Sequence, residues 1–211
     1  LDSVLFKVRS NYAAILLAGG LSSRMGKDKS SLVINGCTLL ERLLLLIKPL
    51  VEEVIVMRAP GQEKPKFSED LEGFVKFGCD SLIERGPLQG IADALPHLSE
   101  KIDKVFILTC DLPYLTTEWL QTMDDILSSE YDIVCSEENK ITNPLLAIYR
   151  LPVLKNASKL LDQGKRRPLL LWDGWRMASL SSPDETPWIC SDVNTPEEFQ
   201  EAKDYFQNKN D

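Results

Sequence analysis

Apolar runs of strand length recur along the chain, at 13–18, 54–57, 74–77, 105–109, 133–135 and 145–149. Their β-branched and aromatic content fits buried strands. Between them lie stretches that read as helices, at 39–47, 88–98, 117–128 and 152–161. Thr195-Pro196-Glu197-Glu198 marks one more helix start, with an N-cap threonine, a proline at the first helical position and a capping-box glutamate at the third. Strand–helix alternation of this kind predicts an α/β fold of three α/β/α layers, Rossmann-like, built on a mostly parallel sheet. Ligands of such sheets sit beyond the carboxyl ends of the strands. Functional residues are therefore sought just after strands, not before them.

No repeat, low-complexity tract or linker divides the 211 residues, and 44% apolar content is enough for a real core, so one domain over 1–211 is expected. The net charge of −8 gives no global attraction for nucleic acid or anionic lipid, and neither partner is expected. Any anionic ligand must be held by a local cluster of cations and backbone N–H groups. Cys37, Cys79, Cys110, Cys135 and Cys190 include no C-x-x-C pair, so zinc lacks support. Their odd number argues against a full disulfide framework, and reduced thiols in the cytoplasm are the expectation. His97 is the one histidine, and its place at a helix end suits the helix dipole better than catalysis. Lys7 and Arg9 ahead of an apolar 12–18 superficially resemble a signal peptide. That stretch is short and runs into Gly19-Gly20 and a basic loop, so it reads as a strand. No apolar run reaches the length of a membrane span.

The run at 13–18 ends in Gly19-Gly20-Leu21-Ser22-Ser23-Arg24-Met25-Gly26-Lys27-Asp28-Lys29. Paired glycines allow close backbone approach and point successive N–H groups at an anion. Arg24, Lys27 and Lys29 add three cations to an otherwise acidic chain. This is the composition a triphosphate needs, although the spacing matches neither the dinucleotide fingerprint nor the Walker loop. Asp111, just after the run at 105–109, is a hard oxygen ligand placed to hold magnesium against phosphates, or equally a turn former ahead of Pro113. Asp192 and Asn194 lie two apart in an extended segment and are expected to face one site. Gly86-Pro87-Leu88-Gln89-Gly90 reads as a helix start near a ligand or as a plain turn. Gly164-Lys165-Arg166-Arg167 offers three consecutive cations for an anionic acceptor, although such runs are more often solvated. Trp172, Trp175 and Trp188 either floor a groove or belong to the core.

The loop over 17–29 resembles the nucleotide loop of the MobA-like nucleotidyltransferases. GPLQGI (86–91), TCDLP (109–113), NPLLAIY (143–149), GKRR (164–167) and DVNTPEEF (192–199) follow in the order found in molybdenum cofactor guanylyltransferases. The resemblance spans about residues 12–203. It implies transfer of GMP from GTP to the terminal phosphate of Mo-molybdopterin, with pyrophosphate released and Mg2+ as the metal. By the same resemblance Leu17, Ala18 and Gly19 contact the nucleotide, Gly20 completes the turn, and Lys29 and Arg24 meet the phosphates. Asp80 is implied to bind nucleotide, Asp111 to hold the metal and touch nucleotide, and Asp192, Asn194 and Arg166 to line the acceptor side. Molybdoenzymes or other cofactor-biosynthesis proteins are implied as partners. Met57-Arg58 stands where the family can carry an asparagine that holds the nucleotide, so a base or ribose contact is either lost or supplied by Arg58. Asn143-Pro144 stands where the family can carry a histidine. The rival readings are a cytidylyltransferase using CTP on the same acceptor, a cytidylyl- or uridylyltransferase acting on a sugar or polyol phosphate, and a non-catalytic nucleotide-binding module.

Overall fold

The structure, a computed structural model, describes residues 9–19, 28–81 and 86–209. In chain order its elements are β1 (Arg9–Leu17), β2 (Val33–Ile34), β3 (Cys37–Thr38), α1 (Leu39–Ile47), β4 (Val51–Arg58), α2 (Glu69–Glu72), β5 (Val75–Cys79) and α3 (Pro87–Ala94). They continue with β6 (Lys104–Thr109), α4 (Thr117–Ile126), β7 (Ile133–Glu138), β8 (Ile141–Arg150), α5 (Leu151–Leu154), α6 (Ala157–Asp162), β9 (Met177–Ser181) and α7 (Pro196–Asn208). Seven strands form one sheet in the order β5-β4-β1-β6-β8-β7-β9, while β2 and β3 pair separately. Within the sheet β8 runs against both its neighbours and every other pairing is parallel.

The strands are apolar on both sides because both faces are covered. Along β1, Tyr12, Ala14 and Leu16 turn to one face, and Ala13 and Ile15 to the other. The first face packs under α1 and α4 through Leu40, Leu44, Leu120 and Met123. The second packs under α3, α5 and α6 through Leu88, Ile91, Val153 and Ala157. Each large side chain buried this way contributes about 1.5–3 kcal/mol. The third layer is thus real, and the expected α/β/α architecture holds.

Several boundaries differ from the sequence expectation for identifiable reasons. The helix expected over 88–98 tightens after Ala94 into a 3-10 turn at Leu95–His97, where Pro96 cannot supply an N–H to an α-helical ladder. The one expected over 152–161 is broken into α5 and α6 at Lys155 and Asn156. The tight link between β7 and β8 places Asn139 and Lys140 at positive φ, 52° and 65°, as a two-residue hairpin turn of the primed type demands. This hairpin is what reverses β8. β9 is an additional strand, with alternate residues exposed, at the sheet edge. The three tryptophans do not form one cluster. Trp172 and Trp175 pack on the α3 face, whereas Trp188 meets Tyr205 edge-on at 6.0 Å.

Candidate active site

The chain leaves β1 toward β4 and β5 on one side, then returns to place β6 on the other. The strand order therefore reverses between β1 and β6, which opens a crevice at their carboxyl ends. Gly19 follows β1 and Asp111 follows β6, so both stand at that crevice.

Gly19 is required there by space. A Cβ on it would lie 2.6 Å from the backbone nitrogen of Ala59 and 3.0 Å from the carbonyl carbon of Arg58, with no flexible side chain to yield. Ala18 is buried and its N–H donates to the Met57 carbonyl at 3.0 Å. That donor is committed and the Ala18 carbonyl already accepts from Arg58 Nη1 at 3.0 Å, so Ala18 can offer a ligand only the second lone pair of that carbonyl and its surface. Leu17 ends β1 half-buried against the α3 face.

Asp28 begins a 3-10 turn at Lys29–Ser31, its Oδ1 accepting from the Ser30 N–H at 3.0 Å. The turn aims Lys29 across the crevice. Its Nζ donates to Asp111 Oδ2 at 2.8 Å and to Asn194 Oδ1 at 2.6 Å. Three strand-end or helix-entry segments are thereby joined at one ammonium group. The other Asp111 oxygen, Oδ1, is buried and has no hydrogen-bond partner among the described residues. An orphaned buried carboxylate oxygen is costly in isolation and suited to a hard cation or a donor brought by a ligand. Next to it, burial and then the Asp111 charge push the Cys110 thiol up to about 12, so it supplies no nucleophile.

The Asn194 and Thr195 N–H groups both donate to Glu198 Oε2, at 2.6 and 2.9 Å, as α7 starts. Asn194 turns to Lys29, Asp192 is exposed, and Val193 between them is buried with its N–H donating to the Asp111 carbonyl at 2.9 Å.

Asp80 follows β5 and is held by its N–H donating to the Arg58 carbonyl at 3.0 Å. Its Oδ1 is likewise buried without a hydrogen-bond partner among the described residues. Burial first, then the Asp93 charge, raises its carboxyl to about 6. Gly90 on α3 lets the helix come close, since a Cβ there would sit 3.1 Å from Asp80 Oδ1. Strands β5 and β6 are three steps apart, and at about 4.8 Å a step their ends are separated by roughly 14 Å. That span suits a nucleoside at the Asp80 end with its phosphates at the Asp111 end.

The remaining candidates are less engaged. Gly20 and Arg24 lie outside the described residues. Arg166 is half-buried in the connection after α6, and no hydrogen bond or ion pair joins it to Lys29, Asp111 or Asn194. Gly86 does open α3, at φ 77° with Pro87 in the first turn. Arg58 was legible only as a substitution for an asparagine. It is 6% exposed and turned into the protein, so it is not placed to meet a base or ribose.

A doubly wound sheet with a close-packed glycine, and with a lysine–aspartate pair at its switch point, fits a nucleotidyltransferase, and the comparisons with known proteins show that class. The chain belongs to the MobA-like NTP transferase family, whose domain model matches residues 14–176. A probable molybdenum cofactor guanylyltransferase of Bacillus cereus (strain AH820) is 30% identical over 207 residues, covering 95% of this chain and 100% of the relative. One of Bacillus anthracis (strain CDC 684 / NRRL 3495) is 31% identical with the same coverage. Among solved structures, molybdopterin-guanine dinucleotide biosynthesis protein A of Archaeoglobus fulgidus superposes with a TM-score of 0.72 at 20% identity, over 93% of this chain and 99% of the other. The 4-diphosphocytidyl-2C-methyl-D-erythritol synthase of Anaerococcus prevotii gives 0.69 at 14% identity, over 94% and 96%. At these identities the two structures establish a shared fold.

Proposed function

We propose that this chain is a molybdenum cofactor guanylyltransferase, transferring GMP from GTP to the terminal phosphate of Mo-molybdopterin and releasing pyrophosphate. The observation that carries this reading is Lys29 held between Asp111 and Asn194 beside the unpartnered Asp111 Oδ1. The names of the Bacillus relatives support the base and the acceptor.

The acceptor phosphate is already ionised near neutral pH, so no general base is needed. One of its oxygens bonds to the α-phosphorus of GTP. The bond from that phosphorus to the oxygen bridging to the β-phosphorus breaks, and pyrophosphate leaves with the electron pair. The protein's task is alignment and charge neutralisation. Lys29 exchanges its carboxylate and amide partners for phosphate oxygens, with Arg24 assigned beside it by resemblance. Leu17, Ala18 and Gly19 form the wall against which the nucleotide lies, Gly20 is assigned to the turn by resemblance, and Asp80 takes donors from the ribose or base. Asn194 holds Lys29 until the phosphates arrive, while Asp192 and Arg166 are assigned to the acceptor.

Mg2+ fits this donor set. Magnesium is a hard cation that takes oxygen ligands and is commonly held by one or two carboxylates plus substrate phosphate oxygens, and a buried carboxylate oxygen without a protein partner suits that role. Asp111 Oδ1 is the residue atom that would hold it. When bound, the ion neutralises charge building on the phosphate oxygens.

Thermal unfolding with excess Mg2+ and each of GTP, CTP, UTP and ATP tests the reading. A nucleotide at a hundred times its dissociation constant stabilises the fold by about 2.7 kcal/mol. Stabilisation by GTP, followed by pyrophosphate release once Mo-molybdopterin is added, is expected. Stabilisation by CTP alone moves the assignment to a cytidylyltransferase. Binding without pyrophosphate moves it to a non-catalytic module.

A further inference from the structure

A buried guanidinium stands behind the site. Arg58 is the last residue of β4, and its charge is withdrawn from water. Burial of such a group is costly unless its charge is balanced and most of its donors are met. Its Nε is buried without a hydrogen-bond partner among the described residues, so the grip lies in the four contacts of Nη1 and Nη2. Nη1 donates to the Ala18 carbonyl at 3.0 Å and to Ser30 Oγ at 2.6 Å. Nη2 pairs with Asp28 Oδ2 at 2.6 Å and donates to the Glu63 carbonyl at 3.2 Å. Ser30 Oγ in turn donates to Asp28 Oδ1 at 2.6 Å, closing a triad of Arg58, Asp28 and Ser30.

The residues gripped are not scattered. Ala18 precedes the paired glycines, and Asp28 and Ser30 flank Lys29 on either side. A planar fork with fixed donor directions can hold three such points at once, which a lysine ammonium on a flexible stem cannot. The 3-10 turn that carries Lys29 is only Lys29–Ser31 long, too short to hold its own orientation. We infer that Arg58 is a positioning residue: its guanidinium ties the start of β1's exit to the turn carrying Lys29, and so aims the Lys29 ammonium at the crevice. This inference rests on the assignment of Lys29 to the phosphates, but the clamp itself does not.

The test has two arms for that reason. In the ligand-free protein, amide hydrogen exchange is measured at Ser31 and Leu32, whose N–H groups donate to the Asp28 and Lys29 carbonyls. Arg58→Met and, from the partly exposed side, Asp28→Asn are each expected to speed exchange there by about tenfold while strand β6 stays protected. Unchanged exchange at Ser31 and Leu32 in both variants overturns the clamp, whatever the protein catalyses. The second arm is a double-mutant cycle on turnover. Arg58→Met is expected to lower kcat by about a hundredfold in the native background, the scale of a 1 Å misplacement, and to do almost nothing in a Lys29→Ala background. Arg58→Lys should not restore kcat. An equal loss in both backgrounds means that Arg58 does not act through Lys29 and overturns the positioning role. Absence of turnover in the native protein instead refutes the proposed function, and the exchange arm still decides the clamp.

Discussion

Strands β1 and β6 carry a lysine–aspartate grouping at each end, and the two groupings are built on different terms. At the amino ends Tyr12 Oη accepts from Arg9 Nη1 at 3.1 Å and from Lys104 Nζ at 2.5 Å, and donates to Asp124 Oδ1 at 2.8 Å. Lys104 also reaches Asp124 Oδ1 at 3.1 Å, and Arg9 pairs with Asp124 Oδ2. The hydroxyl's donor and both acceptor positions are used, and so are both carboxylate oxygens. At the carboxyl ends Lys29 has two partners, yet among the described residues Asp111 Oδ1 has none, and neither has Asp80 Oδ1, three strands along the same end of the sheet. A complete polar cluster needs nothing more and rigidifies the sheet. An incomplete one holds free energy that a ligand can release. The difference separates a structural ion pair from a binding site more sharply than the residue types do.

The contrast can be broken from either end. Asp124→Ala strands Lys104 and Arg9 around an emptied position, and removal of one partner from a buried pair costs about 3–5 kcal/mol. Chemical denaturation should register that loss while the nucleotide KM of the folded fraction stays put. Asp111→Ala should show the reverse, with turnover down by about a hundredfold or more and the unfolding midpoint little changed or raised, because an unsatisfied buried oxygen has gone. If Asp111→Ala destabilises as much as Asp124→Ala, the two clusters are the same kind of object and the comparison fails. Gly19→Ala is a milder blow to the site's wall. Its Cβ would press on backbone, and a shift costing about 1–3 kcal/mol is expected, read as a lower melting temperature together with weaker GTP binding.

The smallest effect should follow pH. Burial lifts Asp80 to about 6, above the ordinary carboxylate value near 4. The folded protein then holds this proton more tightly than the unfolded chain. The stability it contributes is complete below about pH 4 and lost as pH rises through about 6. Nucleotide binding has the opposite trend, because only the ionised carboxylate accepts from both sides. GTP affinity should weaken as pH falls below about 6, and Asp80→Asn should flatten both profiles. Identical pH profiles for the native protein and Asp80→Asn would assign the titration elsewhere.

Much of this was readable from the chain. Strands buried on both faces announce themselves as unbroken apolar runs, and β1, β4 and β6 did so. The start of α7 was visible because a capping box is a local arrangement, and Thr195 and Glu198 form it as expected. Asp111 was legible by place, as a carboxylate just after a strand. What local pattern could not show was direction and contact. The reversal of β8 resides in an Asn139-Lys140 turn, a weaker hairpin signal than Asn-Gly. β9 has alternate residues exposed and lies at an edge, so it lacks the apolar signature. The tie from Asn194 to Lys29 crosses segments far apart in sequence, which spacing alone does not reveal. For Arg58 the sequence leaves open whether a base or ribose contact is lost or supplied by it, because a lone arginine gives no hint that Asp28 and Ser30, 30 and 28 residues earlier, wait for it.

The tie between Lys29 and Asn194 crosses 165 residues, and that between Lys29 and Asp111 crosses 82. Three segments far apart in sequence therefore meet at one ammonium group, and no local stretch can hold it alone. The grip is a tertiary property: it exists only while α7 is docked beside the ends of β1 and β6, so loosening that helix should free the lysine without touching the strands.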